Sequence, residues 1–157
     1  MPQTSLSKPR VFVDADVLFA GSVAPSQFGA SLTILRLAEI TLIEAIASQQ
    51  VITEAERNLT AKLPHALPAF RFIVSRSLRV VPDPLPADLA PFAGLADPKD
   101  LPILAAALRE GCPWLITFNV RNFRPGHPAL HVLVPGDLLL RVRVLLTGLN
   151  VETEPDR

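Results

Sequence analysis

Short apolar runs alternate along this chain with longer segments in which apolar residues recur at helical spacing. An uninterrupted apolar run bounded by turn signals is typical of a strand that is buried on both faces of a sheet. The run at 11–13 predicts such a strand, and short, mostly apolar runs predict further strands at 41–45, 78–81, 114–117 and 130–134. The first of these strands ends directly before Asp14.

The segments between the strands predict helices of about 10–15 residues. Ser48 is the expected N-cap of the helix after the second strand, and Pro64 stops that helix. The predicted helices cover residues 29–38, 49–63, 65–77, 101–110 and 136–146. Strands that alternate with helices in this way predict an α/β fold with a central parallel sheet covered on both faces.

Composition supports a single domain. The chain has 157 residues, of which 49% are hydrophobic and 19% are charged, a balance that can fill a core and excludes a wholly disordered chain. The predicted domain spans residues 10–147. A flexible N-terminal tail is expected at 1–9 and a polar C-terminal tail at 148–157.

Charge and cysteine content narrow the possible partners and compartment. Fifteen basic and fifteen acidic residues cancel, so a nucleic-acid site would have to be a local patch. The single cysteine, Cys112, excludes an internal disulfide. Residues 1–9 lack the apolar middle of a signal peptide, and no apolar run reaches the roughly 18–20 residues of a membrane span. We therefore expect a cytoplasmic protein with no membrane partner.

Acidic residues fall where parallel sheets place their working sites, at the carboxyl ends of strands. Asp14 follows the first strand, Glu54 lies on the helix after the second, and Asp97 and Asp100 open a later helix. Clustered carboxylates are costly unless a cation neutralises them. Hard oxygen donors without a Cys–His set indicate Mg²⁺ or Mn²⁺, ions that activate water for phosphodiester hydrolysis.

Four segments, VFVDADVLF, TEAERNL, DPKDLPILAAAL and LITFNVRNF, resemble the PIN-domain ribonuclease family in order and spacing. VapC-type toxins of toxin–antitoxin pairs share this pattern, and the resemblance spans residues 11–140. It implies a three-layer α/β/α sandwich, a divalent metal ion, an RNA substrate and often an antitoxin partner.

The resemblance implies that Asp14, Glu54 and Asp100 are the catalytic, metal-binding carboxylates. Glu56 competes with Glu54, because both are helix carboxylates. Asp100 also suits a plain helix cap. Asp97 is expected to be a supporting loop acid.

Two positions depart from the family pattern. Where the family has T-x-N-x-x-D-F, this chain has Thr117, Asn119 and Asn122, so the usual acid is missing at position 122. Asp16 stands where the family commonly has Asn, which adds a carboxylate to the end of the first strand. We expect these four residues to support the site, and the loss of charge at Asn122 puts a second metal ion in question.

Other candidates have simpler alternatives. Arg121 and Arg124 flank this segment and suit phosphate contacts or an ordinary solvated surface. Cys112 is expected to be a small core residue, because no histidine accompanies it as a catalytic partner. Trp114 and the phenylalanines are expected to be core residues.

Three functions follow from these patterns. The first is a metal-dependent ribonuclease of the PIN family. The second is a binding module of the same fold in which Asn122 has weakened or abolished catalysis. The third is a haloacid-dehalogenase-like phosphotransferase, suggested by Asp14-Ala15-Asp16, although Asp137 has no second acid beside it and lysines are scarce.

The closing helix, LLLRVRVLL, is apolar on more than one face. This pattern indicates a homodimer or another partner surface, and a core helix is the alternative.

Overall fold

The computed structural model describes residues 8–23 and 29–148, and a five-stranded sheet lies at its centre. The strands are β1 (Arg10–Val13), β2 (Glu44–Ser48), β3 (Leu78–Val81), β4 (Trp114–Ile116) and β5 (His131–Leu133). Their order is β3-β2-β1-β4-β5, and all neighbours are parallel. Residues 1–7 and 149–157 of the predicted tails lie outside the described residues.

Helices cover the sheet and confirm the three-layer α/β/α sandwich. They are α1 (Ala15–Val23), α2 (Ala30–Glu39), α3 (Gln49–Lys62), α4 (Leu67–Ser77), α5 (Pro86–Leu89), α6 (Leu101–Arg109) and α7 (Pro135–Thr147). Helices α1 to α4 lie in the crossovers from β1 to β2 and from β2 to β3, whereas α6 lies in the crossover back to β4. The strands progress in one direction from β1 to β3, and the chain then returns to the other side of β1 to form β4. Because such crossovers are right-handed, α6 lies on the face of the sheet opposite to α1–α4.

The core is built around β1, the central strand. Val11, Phe12 and Val13 are fully buried, as are Leu104 and Ala106 of α6. The apolar triplet therefore has protein on both sides, as its sequence predicts. None of the helices within residues 8–23 and 29–148 is long and apolar enough to cross a membrane.

The second strand forms, but the predicted bounds of 41–45 are wrong, because β2 begins at Glu44 and ends at Ser48. The residues before it close α2 instead. Thr41 has a φ of 67°, its N–H donates to the carbonyl of Ala38, and the N–H of Leu42 donates to the carbonyl of Leu37. The left-handed conformation of Thr41 ends α2, and these two hydrogen bonds satisfy two of the last carbonyls of the helix. Thr41 and Leu42, which the pattern assigns to a strand, therefore belong to the end of α2.

The cap of α3 also differs from the prediction. Ser48 occupies the N-cap position, but its side chain makes no cap hydrogen bond. The carboxylate of Asp83, from the proline-rich loop after β3, accepts a hydrogen bond from the N–H of Gln50 over 2.8 Å. A residue distant in sequence thus takes the role expected of the local serine.

Two helices, α1 and α5, were not predicted. Helix α1 begins directly after Asp14 and buries residues on several sides, including Val17, Leu18 and Ser22, so it shows no clear amphipathic stripe. Helix α5 has only four residues, shorter than periodicity can reveal. The other predicted elements are confirmed with small shifts at their ends.

Candidate functional site

The site lies where β1 and β4 end side by side. Val13 pairs with Ile116, so the next residues, Asp14 and Thr117, lie opposite each other at the carboxyl edge. Asp14 is 7% exposed. One of its carboxylate oxygens accepts a hydrogen bond from the hydroxyl of Thr117 over 2.8 Å, and the other accepts one from the N–H of Ala15 over 2.8 Å. Two donors therefore fix this buried carboxylate in place.

Asp16, on the first turn of α1, turns back towards the end of β4. Its Oδ2 accepts hydrogen bonds from the N–H of Phe118 over 3.0 Å and from the side-chain amide of Asn119 over 3.1 Å. Its Oδ1 is buried and has no hydrogen-bond partner within residues 8–23 and 29–148. Asp16 thus joins Asp14 in one cluster, with one oxygen held and the other unpaired.

Asp100 lies at the N-cap position of α6, as the cap alternative predicts, but its side chain makes no cap hydrogen bond. Its Oδ2 is buried and has no hydrogen-bond partner among the described residues. The carbonyl of Asn122 accepts a hydrogen bond from the N–H of Asp97 over 2.7 Å, which ties the loop before α6 to the segment after β4. The side chain of Asp97 itself is exposed.

Burial and the repulsion between neighbouring negative charges raise the pKa values of these carboxyl groups and so favour their protonated forms. Burial, and then the neighbouring charges of Asp16 and Glu54, raise the pKa of Asp14 from 3.8 to about 7 against the hydrogen bonds from Thr117 and Ala15. Burial also raises the pKa of Asp16, and it raises that of Asp100 against the charge of Lys99. Such strain on clustered carboxylates is typical of functional sites.

The two candidate glutamates of α3 have different surroundings. The charge of Glu54 makes a small contribution to the raised pKa values of both Asp14 and Asp16. Glu56 instead pairs with Arg71 over 3.5 Å. Glu54 therefore remains the candidate of the two for the site.

The donor chemistry fits a hard divalent cation. Two buried carboxylate oxygens, one on Asp16 and one on Asp100, lack partners, and an unpaired buried carboxylate oxygen is costly. Within residues 8–23 and 29–148, no three His, Cys, Asp or Glu side chains lie close enough to hold a metal ion as they stand. A bound cation would draw the carboxylates together and neutralise their repulsion.

The remaining candidate residues lie either at the surface or in the core. Arg121 and Arg124 are exposed on the segment after β4. Cys112 is buried, and burial raises the pKa of its thiol to about 12, which suits a core residue and not a nucleophile. The expectation that the phenylalanines are core residues is wrong for Phe118 and Phe72, which are 51% and 56% exposed.

Replacing Thr117 with Val is expected to destabilise the protein more at pH 8 than at pH 5. The variant removes the hydroxyl donor, and leaving a buried carboxylate oxygen unpaired costs about 1–3 kcal/mol. The cost applies when Asp14 is ionised, which requires a pH above its pKa of about 7. Urea denaturation at both pH values measures this difference in the free energy of unfolding.

Thr117→Ser is the matched control. It keeps the hydroxyl and loses a buried methyl group, so any loss of stability is expected to be the same at both pH values. Equal losses at pH 5 and pH 8 for Thr117→Val would contradict the assigned hydrogen bond to Asp14.

Comparisons with known proteins agree with this geometry. The family profile described as PIN domain matches residues 10–121. No curated protein sequence matches the chain. Among solved structures, PAE2754 from Pyrobaculum aerophilum is similar with 18% sequence identity and a TM-score of 0.61, over 87% of this chain and 96% of that one.

Two further solved structures are also similar in fold. VapBC2 from Rickettsia felis, solved bound to a DNA fragment from its promoter, has 16% sequence identity and a TM-score of 0.58, over 78% of this chain and 96% of that one. VapC20 from Mycobacterium tuberculosis, described as a toxin that cleaves the sarcin-ricin loop, has 18% identity and a TM-score of 0.50. That match covers 67% of this chain and 86% of that one.

Proposed function

Since the chain belongs to the PIN domain family, we propose that it is a metal-dependent endoribonuclease. The observation that carries the proposal is the carboxylate cluster at the ends of β1 and β4. There, Asp14 is buried beside Asp16, and Asp16 and Asp100 each keep a buried oxygen without a partner. The family match gives no comparable support to a haloacid-dehalogenase-like phosphotransferase.

In this proposal Asp14, Glu54 and Asp100 hold Mg²⁺ or Mn²⁺, and the free oxygen of Asp16 faces the same cluster. When bound, such an ion activates a water molecule and stabilises the charge that develops on the phosphate. Thr117 orients Asp14 through a hydrogen bond of 2.8 Å. The absence of a cysteine or histidine in this donor set favours these hard ions over zinc.

Neighbouring residues position the carboxylates and the RNA. The side-chain amide of Asn119 holds one oxygen of Asp16, so that the other oxygen stays free. Arg121 and Arg124 are exposed beside the cluster and bind phosphates of the RNA in this proposal. Since the substrate is RNA, we propose that the protein acts in the cytoplasm.

Cleavage of RNA in Mn²⁺ or Mg²⁺ and its loss in EDTA test the proposal. Glu54→Gln is expected to lower the cleavage rate by at least about 100-fold, because even changes around metal ligands cost about 10–100-fold. Glu56→Gln is the matched control on the same helix and is expected to keep the wild-type rate, since Glu56 pairs with Arg71. Equal rates for wild type and Glu54→Gln would contradict the assignment, and cleavage that persists in EDTA would contradict metal dependence.

We also propose that the protein binds a cognate antitoxin. The solved VapBC2 structure, which is similar in fold, supports this partner.

We further propose that the protein forms a homodimer through α7. On α7, the apolar side chains of Leu140, Val144 and Leu145 are 58%, 71% and 59% exposed. They line a hollow of about 400 Å³ with Trp114 and Arg141. Apolar patches of this kind mark protein–protein contacts.

The double variant Leu140→Glu, Val144→Glu is expected to be monomeric at concentrations at which the wild type is dimeric. Two buried charges without partners would oppose the apolar contact. Light scattering coupled to size-exclusion chromatography measures the mass of each. Arg143→Glu changes an exposed residue of the same helix and is expected to remain dimeric. A monomeric wild type, or an unchanged dimer in the double variant, would contradict this interface.

A further inference from the structure

The ring of Phe118 is exposed beside the carboxylate cluster, and the proposed chemistry does not use it. Phe118 is 51% exposed, whereas Thr117 directly before it is fully buried. The N–H of Phe118 donates to Oδ2 of Asp16 over 3.0 Å. Fixed bond lengths then keep its ring within about 8 Å of that oxygen. A large apolar side chain therefore faces solvent at the edge of the site.

Hydrogen bonds hold the backbone around this ring in place. The N–H of Asn119 donates to the hydroxyl of Thr117 over 3.0 Å, and the N–H of Asn122 donates to the carbonyl of Asn119 over 3.0 Å. The amide of Asn119 also donates to Asp16. Phe118 thus lies between anchored residues, and its exposure is a fixed feature of the site.

Exposed cations accompany the ring. Arg121 and Arg124 lie on the same segment, and Lys99 lies on the loop that Asp97 and Asn122 tie to it over 2.7 Å. Within residues 8–23 and 29–148, none of these three cations forms an ion pair. Exposed cations together with a solvent-facing aromatic ring are the features that bind single-stranded nucleic acid, through phosphate contacts and base stacking.

We propose that Phe118 stacks on an unpaired nucleobase of the substrate, next to the phosphate that lies at the carboxylate cluster. This inference rests on the proposed ribonuclease function and assigns Phe118 as the residue that contacts the base. In a duplex the faces of each base are covered by its neighbours, so the ring has no surface to stack on. Phe118 is therefore a residue that selects unpaired over paired RNA.

Binding measured without cleavage tests this inference. The probe is a dye-labelled single-stranded oligoribonucleotide of mixed sequence, followed by fluorescence anisotropy with Ca²⁺ in place of Mg²⁺, and gels confirm that it stays intact. Phe118→Ala is expected to weaken single-strand binding by about 5- to 100-fold, the loss typical for one stacked base. Phe118→Trp keeps a ring and is expected to bind within about 2-fold of wild type.

Two controls separate stacking from general damage. The same oligonucleotide annealed to its complement is expected to bind wild type and Phe118→Ala equally. Phe72→Ala removes an equally exposed ring on α4 and is expected to leave single-strand binding unchanged.

Equal binding of the single strand by wild type and Phe118→Ala would overturn the stacking role. So would an equal loss of single-strand and duplex binding, or no single-strand binding by wild type. None of these results bears on metal-dependent cleavage, which the comparison of Glu54→Gln with Glu56→Gln judges separately.

Discussion

In EDTA the ionisation of Asp14 is expected to lower the free energy of unfolding by about 4 kcal/mol between pH 4 and pH 8, and Asp14→Asn is expected to remove this contribution. The native pKa of Asp14 is about 7, against an ordinary value of 3.8. Between these values the native state binds more protons than the unfolded state, so stability falls as the pH rises. Above pH 7 and below pH 4 this contribution is constant.

Urea denaturation in EDTA at several pH values measures this effect as the difference between wild type and variant. Asp137→Asn, at an exposed position after β5, is the matched control and is expected to follow the wild-type curve. Mn²⁺ at pH 8 is expected to restore the stability of wild type and not that of Asp14→Asn, because a ligand that binds the native state stabilises it. Parallel curves for wild type and Asp14→Asn would show that Asp14 is not a strained carboxyl.

Asn122→Asp is expected to raise the affinity for Mn²⁺ by about tenfold or more and to speed RNA cleavage. The side chain of Asn122 interacts with Asp100, so a carboxylate there adds a negative charge to the cluster. In EDTA the same charge is expected to lower the melting temperature, since nothing neutralises it. Calorimetric titration with Mn²⁺, cleavage assays and thermal unfolding with and without the ion measure the three effects.

Ser75→Asp, at an exposed position near the end of α4, which leads into the start of β3 and so to the opposite edge of the sheet, is the control for a new carboxylate outside the cluster and is expected to leave Mn²⁺ affinity unchanged. An inert wild type that Asn122→Asp activates would favour the alternative of a binding module that has lost catalysis. Unchanged affinity and unchanged stability in Asn122→Asp would contradict the placement of this residue at the metal site.

The central strand is predictable here because it is buried on both faces. The triplet at 11–13 is continuously apolar and forms the buried part of β1. The edge strand at 78–81 includes Arg79 and is partly exposed, yet it forms where its apolar residues predict it. The start of the second strand is misplaced because Leu42, which is apolar but 50% exposed, belongs to the end of α2. Apolarity alone does not separate a buried strand from an exposed helix stop, since a left-handed φ at Thr41 has no signature in periodicity.

The site is partly predictable for a similar reason. Asp14 and Asp100 can be located from strand and helix ends, and the topology brings those ends to one edge of the sheet. The free oxygen of Asp16 and the position of Phe118 depend on hydrogen bonds between the residues that follow β1 and those that follow β4, which are about 100 residues apart in sequence. For Phe118 the sequence does carry a signal. The segment FNVRNFR interleaves aromatic and basic residues, as single-strand binding sites do.

The central claim, a divalent cation held by the carboxylate cluster, is tested most directly by calorimetric titration of Mn²⁺ into the wild-type protein and into the double variant Asp14→Asn, Asp100→Asn. Both variants keep the shape of the side chain and remove its charge. We expect saturable binding to the wild type and none to the double variant. Equal binding to both proteins, or no binding to either, would contradict the account.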